Sequence, residues 1–229
     1  MARLIFHGHA CVELIAADGT RLLIDPFLLD NPLADVGPDH FDRLDYLLLT
    51  HGHFDHVADA WAILERTGAT LIATFEIVSY AQERQGVASA HPMHIGGGYD
   101  FPFGRVKLTP ALHGGQVAGE GAEGYTTFPA GLLIAIDEHR VYHAGDTALT
   151  TDMTLLRGQV DTALLPIGDN FTMGPEDAVR AIEMIEPSVV IPIHYDTFDV
   201  IRQDTGSFRE LVGGRAEVVV LRAGDSREL

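Results

Sequence analysis

Three histidines and one aspartate lie within the six consecutive positions 51–56 of the chain. An apolar run, 46–49, precedes this stretch and predicts a buried strand, and a helical pattern follows from residue 57. The stretch therefore occupies a turn from a strand to a helix, at the carboxyl end of the strand. Because α/β folds commonly bind their ligands at such turns, this stretch predicts an α/β architecture built around a polar site.

The residue types in this turn are those that bind divalent transition metals. Imidazole nitrogens and carboxylate oxygens suit Zn²⁺, Fe²⁺ or Mn²⁺. His51 and His53 alternate across one turn residue, so both rings can face one ion, whereas Asp55 and His56 are offset from them. Four donors in one short loop are shared more easily between two ions, roughly 3.5–4 Å apart, than arranged around one. The alternative is a polar loop with solvated histidines, which the density of histidine disfavours.

The pattern His51-x-His53-x-Asp55-His56 after a hydrophobic strand resembles the signature of the metallo-β-lactamase superfamily. The resemblance implies an αββα sandwich, with two mixed sheets flanked by helices, and a two-metal hydrolytic site. Segments 145–147, 166–173 and 193–195 are similar to the small metal-dependent hydrolases of that superfamily, which are related to the ascorbate-phosphate lactonases. Since the resemblance covers nearly the whole chain, we expect a single domain over residues 1–229.

The resemblance also implies three further metal ligands. His113 stands at a predicted strand end before two glycines, Asp146 follows Gly145 at another, and His194 ends the predicted strand 189–193. One ion is then assigned to His51, His53 and His113, and the other to Asp55, His56 and His194, with Asp146 bridging the two. We expect Asp55 and Asp146 to be the catalytic carboxylates, with Asp55 orienting the attacking hydroxide.

Four further polar residues are expected beside the ligands, as supporting or substrate contacts. The resemblance places Asp25 beneath the metal loop, although a simple turn aspartate before proline is the alternative. His9 is expected near the site. A metal-binding pair of His7 and His9, or a structural strand-end role, is the alternative. His143, just before the segment 145–147, and Asn170, within the segment 166–173, complete this group.

Composition limits the partners of the chain. The formal net charge is −18, with no basic cluster, which argues against nucleic acid as a partner. No window reaches 18 uninterrupted apolar residues, and the first residues lack the apolar core of a signal peptide, so no membrane association is expected. The single Cys11 fits a reducing, cytoplasmic location. We expect a small-molecule substrate and, because related lactonases assemble, a homo-oligomer.

The predicted activity is hydrolysis that depends on two divalent metal ions. Zn²⁺ is the expected metal, and Mn²⁺ and Fe²⁺ are the alternatives. A metal-bridged hydroxide would attack an ester or lactone, or a phosphodiester bond, and the lack of arginine or lysine beside the ligand motifs favours the ester or lactone. An iron-dependent oxidoreductase or dioxygenase on the same fold is one alternative. Such reductases tend to carry glutamate at the position of His53. A non-catalytic metal-binding protein is the other alternative.

Local patterns predict the remaining elements. Helices are expected over 58–67, 76–85 and 175–186, and a final strand over 217–221. The glycine-rich loop 114–125 is predicted to be either a lid over the substrate or a solvated hairpin tip.

Overall fold

Two mixed seven-stranded sheets form the centre of the protein, in a computed structural model that describes residues 1–229. The first sheet has the order β14-β1-β2-β3-β4-β5-β6 and is parallel from β3 to β6. Its strands are β1 (Arg3–Gly8), β2 (Cys11–Ile15), β3 (Arg21–Ile24), β4 (Tyr46–Leu48), β5 (Thr70–Thr74), β6 (Ala90–Met93) and β14 (Ser226–Glu228).

The second sheet has the order β13-β12-β11-β10-β9-β8-β7 and is parallel from β10 to β13. Its strands are β7 (Gly98–Phe101), β8 (Gly104–Pro110), β9 (Ala130–Ile136), β10 (His139–His143), β11 (Thr162–Pro166), β12 (Val189–Ile193) and β13 (Glu217–Val218).

Helices cover the outer face of each sheet, which confirms the predicted αββα sandwich. They are α1 (Phe54–Val57), α2 (Ala60–Thr67), α3 (Phe75–Arg84), α4 (Pro175–Ile185) and α5 (Thr205–Val212), with 3₁₀ turns at Pro38–His40, Thr151–Leu156 and Asp199–Ile201. One apolar layer lies between the sheets, a second beneath α2 and α3, and a third beneath α4 and α5. None of the helices is long and apolar enough to cross a membrane.

The apolar run of β4 shows why a continuous hydrophobic strand belongs in this architecture. Leu48 packs in the layer between the sheets, whereas Leu47 and Leu49 pack in the layer beneath α2 and α3. Since successive side chains point to opposite faces of a strand, a sheet buried on both faces needs apolar residues at every position.

The structure corrects several predicted boundaries. The helix expected over 58–67 starts at Ala60, after the separate α1. Between them, the buried Asp59 carboxylate accepts hydrogen bonds from the backbone N–H groups of Leu28 and Leu29, at 2.7 and 3.1 Å. The strand expected over 217–221 ends at Val218, and it is followed by a further strand, β14. Three short strands, β6, β7 and β14, were not predicted, because at the sheet edges polar residues, glycine and proline are tolerated.

The sandwich brings several loops to one edge. The carboxyl ends of parallel strands meet at the same edge of a sheet, so the turns after β3, β4, β10 and β12 lie together. The β1–β2 turn and the segment after β8 join them, and these turns carry His9, Asp25, residues 51–56, His113, Asp146 and His194.

Candidate metal centre

Asp25 holds the loop that follows β4, as the resemblance implied. Its Oδ1 accepts a hydrogen bond from the Thr50 backbone N–H at 2.8 Å, and its Oδ2 accepts one from the Thr50 hydroxyl at 2.6 Å. Oδ2 also lies 2.8 Å from His56 Nδ1, and the Thr50 hydroxyl lies 3.0 Å from His51 Nδ1. Because an ionised carboxylate only accepts, His56 donates from Nδ1. The hydroxyl, which donates to Asp25, can accept from His51. Both histidines then keep Nε2 free for a cation.

Backbone strain is concentrated at this edge. His9, Asp25 and His194 have φ angles of 56°, 47° and 54°, in the left-handed region that residues other than glycine rarely adopt. Such conformations persist where surrounding structure enforces them, and they cluster at functional sites.

The turn before Asp146 requires glycine and is held by His143. Gly145 has φ 61°, and a Cβ at this position would lie 2.8 Å from Thr50 Cβ. The Gly145 backbone N–H donates to His143 Nδ1 at 3.2 Å, and His143 Nε2 donates to the Ala10 carbonyl at 2.9 Å. His143 therefore supports the turn that delivers Asp146 and makes no direct hydrogen bond to the predicted ligands.

The seven predicted ligands converge in two groups, and within each group the donor atoms lie within 4.8 Å of one another. The first group is His51, His53, His113 and Asp146, and the second is Asp55, His56 and His194 together with His9. The six predicted ligands other than Asp146 divide as the resemblance implied, but Asp146 falls in the first group alone, and a third group unites Asp25 with His51 and His56.

Asp146 lies against histidines of both groups. Its Oδ2 is 3.4 Å from His113 Nε2 and 3.0 Å from His194 Nε2. Its Oδ1 is 3.3 Å from His56 Nε2. One carboxylate with two oxygens can therefore serve two neighbouring cations.

The residues present fit divalent cations. Nε2 of His51, His56 and His194 and Oδ1 of Asp146 are buried and make no hydrogen bond, because the short contacts of these atoms lack hydrogen-bond geometry. A buried polar atom without a partner costs about 1–3 kcal/mol, and such atoms are rare in folded proteins. Several of them converge at one point, in a set of N and O donors that suits Zn²⁺, Mn²⁺ or Fe²⁺.

The charges of the cluster favour protonation of His56 and His194 in the metal-free protein, whereas burial lowers the pKa of His51, His53 and His113. Burial acts to raise the pKa of Asp146, but His194 and His56 hold it well below its usual range. Burial acts to lower the pKa of His194, but Asp146 raises it to about 9. In the same way Asp146 and Asp25 overcome burial and raise the pKa of His56 well above its usual value. A bound metal must displace these protons.

His9 is oriented as a hydrogen-bond donor to the second group. Its Nε2 lies 3.2 Å from Asp55 Oδ2, and its Nδ1 lies 2.8 Å from Thr197 Oγ1. Burial and the neighbouring His194 lower the pKa of His9 to about 4, so the ring is neutral at pH 7. The proton on Nε2 then binds Asp55, which agrees with the expected supporting role. The alternative pair with His7 is not formed, because His7 Nδ1 contacts Asp35 instead, at 2.9 Å.

The structure does not bring Asn170 to the cluster, contrary to expectation. Asp169 and Asn170 have φ angles of 60° and 45°, and both are exposed. The turn that they form places Phe171, rather than Asn170, at the wall of the cavity beside the cluster.

The cavity beside the cluster has a volume of about 620 Å³. Besides the clustered histidines and aspartates, its lining residues are Phe54, Gln116, Ala118, Phe171, Phe198 and Val200. Gln116 and Ala118 belong to the loop that was predicted as a possible lid, whereas the other four were not predicted as functional residues. The one local signal for them is that Phe54 lies inside the metal-binding motif itself.

The loop 114–125 is a hairpin that packs on the protein through its buried residues Val117 and Ala122, while Glu120, Glu123 and Gly124 at its tip are exposed, so its interpretation as a solvated hairpin tip stays a prediction. Val117 is buried in the apolar layer beneath α2 and α3. The Ala118 backbone N–H donates to the Gly52 carbonyl at 2.7 Å, and the Tyr80 hydroxyl donates to the Glu120 carbonyl at 3.0 Å. The loop forms one wall of the cavity, and its role as a lid stays a prediction.

Comparison with known proteins shows the family and the fold of this chain. A family profile described as "Beta-lactamase superfamily domain" matches residues 20–195. A UPF0173 metal-dependent hydrolase of Enterococcus faecalis is 49% identical over 226 residues, covering 97% of this chain and 98% of the relative. The structure of Igni18, a metallo hydrolase of Ignicoccus hospitalis, matches with a TM-score of 0.87 and 33% identity, over 100% of this chain and 99% of that one. An isothiocyanate hydrolase from Delia radicum gut bacteria shares the fold, with a TM-score of 0.78 at 21% identity, over 99% and 98% of the two chains.

Proposed function

We propose that this chain, which belongs to the β-lactamase superfamily, is a metal-dependent hydrolase. It binds two divalent ions at the paired groups described above, and Zn²⁺ is the expected metal. The observation that carries the proposal is the position of Asp146, whose carboxylate lies against histidines of both groups. When bound, two such ions supply Lewis acids and a nucleophilic hydroxide at neutral pH.

The side chains of the cluster would bind the two ions in two sets. His51, His53 and His113 would hold one ion, and Asp55, His56 and His194 the other. Asp146 would be shared between them. The reductases of this fold tend to carry glutamate at the position of His53. The histidine at this position therefore favours a hydrolase over a reductase.

Asp55 combines a position beside the second ion with access to the cavity. Burial acts to raise its pKa, but the neighbouring His194 and a hydrogen bond from His9 hold the pKa well below its usual range, so the carboxylate stays ionised. Since Asp55 lines the cavity, it can accept a hydrogen bond from the attacking water and orient it. The hydrogen bond from His9 Nε2 fixes the direction of this carboxylate.

The substrate is a small molecule with an ester, lactone or phosphodiester bond. A cavity of about 620 Å³ falls within the range of small-molecule sites, roughly 300–1,000 Å³. The net charge of −18 supports the exclusion of nucleic acid. A homo-oligomer remains part of the proposal.

The proposal is tested by elemental analysis of protein purified without chelator or added metal, followed by a hydrolysis screen. We expect two equivalents of zinc or manganese per chain, and hydrolysis of at least one ester, lactone or phosphodiester. Asp146→Ala should lose metal and activity, whereas Asp152→Ala, which removes an exposed aspartate, should keep both. Full metal content and activity in Asp146→Ala would contradict the proposal, and iron in place of zinc would favour the redox alternative.

A further inference from the structure

We infer that the cavity selects an uncharged substrate with a sizeable apolar group next to the scissile bond, in preference to a phosphate ester. The inference rests on the proposed hydrolytic function and narrows its substrate class. It is carried by the side chains that line the cavity outside the metal-binding groups.

An aromatic wall stands beside the second group. The Phe54 ring lies 6.2 Å from the Phe198 ring, and the buried Phe27 packs against both, at 5.7 and 6.3 Å between ring centroids. Phe54 is 55% exposed although it directly precedes the ligand Asp55. The structure therefore fixes a large apolar surface in place while leaving it open to solvent at the reacting centre, as a pocket for apolar groups requires.

Further apolar side chains line the same cavity. Phe171 and Val200 line it with 55% and 60% of their surfaces exposed, and Ala118 contributes from the loop 114–125. Clustered exposed apolar residues around a concave site mark a binding surface, whereas single ones are ordinary. Burying their surface against a ligand supplies affinity in proportion to the apolar area.

The cavity lacks the groups that usually recognise phosphate. No arginine or lysine lines it, and the one lysine of the chain, Lys107, lies on β8 outside the lining set. Arg202, near Phe198 in sequence, is paired with Asp199 at 2.7 Å. Phosphate is normally bound by arginine, lysine or a helix N-terminus. Gln116 is the only polar lining residue outside the metal-binding groups, and its amide suits a neutral carbonyl or ether oxygen.

The first test measures binding without turnover, on the full-length protein as purified. A neutral naphthyl ketone dye reports occupancy of the cavity, and hexanamide, hexanoate and hexyl phosphate compete with it. We expect hexanamide to displace the dye best, and the affinity to rise by up to about fourfold per methylene from butanamide to octanamide. Phe198→Ala should weaken the binding of octanamide by about tenfold, while Phe198→Leu should retain most of the affinity. Phe75→Ala is the control outside the cavity, and the exposure of Phe75, 52%, matches that of the lining residue Phe171, 55%, whereas Phe198 is half-buried.

The second test compares p-nitrophenyl esters from acetate to octanoate on the zinc-loaded protein. We expect kcat/KM to rise with chain length, and the octanoate-to-acetate ratio to fall in Phe198→Ala and in Phe171→Ala. If the esters are hydrolysed but acetate is preferred and amides do not displace the dye, the inference is overturned and the hydrolytic function stands. If amides displace the dye with the expected dependence on length but no substrate is turned over, the pocket inference stands and the hydrolytic function fails. Stronger binding of hexyl phosphate than of hexanamide would also overturn the inference.

Discussion

Replacement of Asp25 by alanine should weaken metal binding although Asp25 lies outside the proposed ligand set. The fully buried carboxylate accepts hydrogen bonds from the Thr50 backbone N–H, the Thr50 hydroxyl and His56 Nδ1. Asp25→Ala removes the acceptor of three buried donors; the Thr50 hydroxyl can turn to His51 Nδ1, 3.0 Å away, but the Thr50 N–H and His56 Nδ1–H are left without an acceptor. At about 1–3 kcal/mol each, the free energy of unfolding should fall by about 2–6 kcal/mol. Because His56 is no longer oriented, zinc affinity should fall roughly 10- to 100-fold.

The assay for this prediction is competition for zinc against a chromophoric chelator, combined with urea unfolding of the same samples. Asp59→Ala is the matched control, since Asp59 is another buried carboxylate that accepts two backbone hydrogen bonds but contacts none of the predicted ligands. It should lower stability and leave zinc affinity unchanged. Zinc affinity of Asp25→Ala within twofold of the parent, or an equal loss in Asp59→Ala, would refute the reasoning.

Further predictions concern protons, packing and metal removal. The pKa of His194, raised to about 9, keeps this ring protonated at pH 7 in the metal-free protein. Because zinc must displace this proton, zinc affinity should rise about tenfold per pH unit up to pH 9. Calorimetry in buffers of different ionisation enthalpy measures the release, and an absence of buffer dependence would contradict it. Gly52→Ala places a Cβ 2.8 Å from Val117 Cα, and the displaced cavity wall should lower kcat/KM by roughly 100-fold, with the fold checked by circular dichroism. Phe208→Ala, in the layer beneath α5, should cost about 3–5 kcal/mol in urea unfolding while zinc stoichiometry is retained. Chelation should lower the midpoint of thermal unfolding, because zinc at 100 times its Kd stabilises the folded state by about 2.7 kcal/mol, and a midpoint that does not move would argue against a structural contribution of the metal.

The part of the site that could be predicted is the part whose ligands are closely spaced within one short segment of the sequence. Residues 51–56 follow a buried strand at intervals that only ligand chemistry explains well, and the structure places their donors together. The other ligands, His113, Asp146 and His194, were reached through resemblance rather than through spacing, because each is a single residue at a strand end. Their convergence depends on which strand ends meet at one edge, and the sequence pattern alone does not determine that order.

The aromatic wall could not be predicted for a related reason. Phe27, Phe54 and Phe198 are far apart in sequence, and each reads as an ordinary apolar residue in its own segment. Periodicity assigns a residue to a face of one element, but it does not pair residues across two sheets. The error at Asn170 has the same origin, since two successive left-handed residues decide which side chain of that turn faces the cavity.

The two sheets contribute jointly to each group of ligands, and this explains why strained residues are tolerated at this edge. The first group takes His51 and His53 from the turn after β4, and His113 and Asp146 from turns of the second sheet. The second group likewise combines residues from both sheets. An ion in either group would therefore join the sheets directly, and its binding energy would offset the unpaired nitrogens and left-handed backbone that the metal-free protein must maintain. It follows that packing between the sheets and metal affinity are linked, because any change that shifts one sheet against the other separates the ligands of both groups at once.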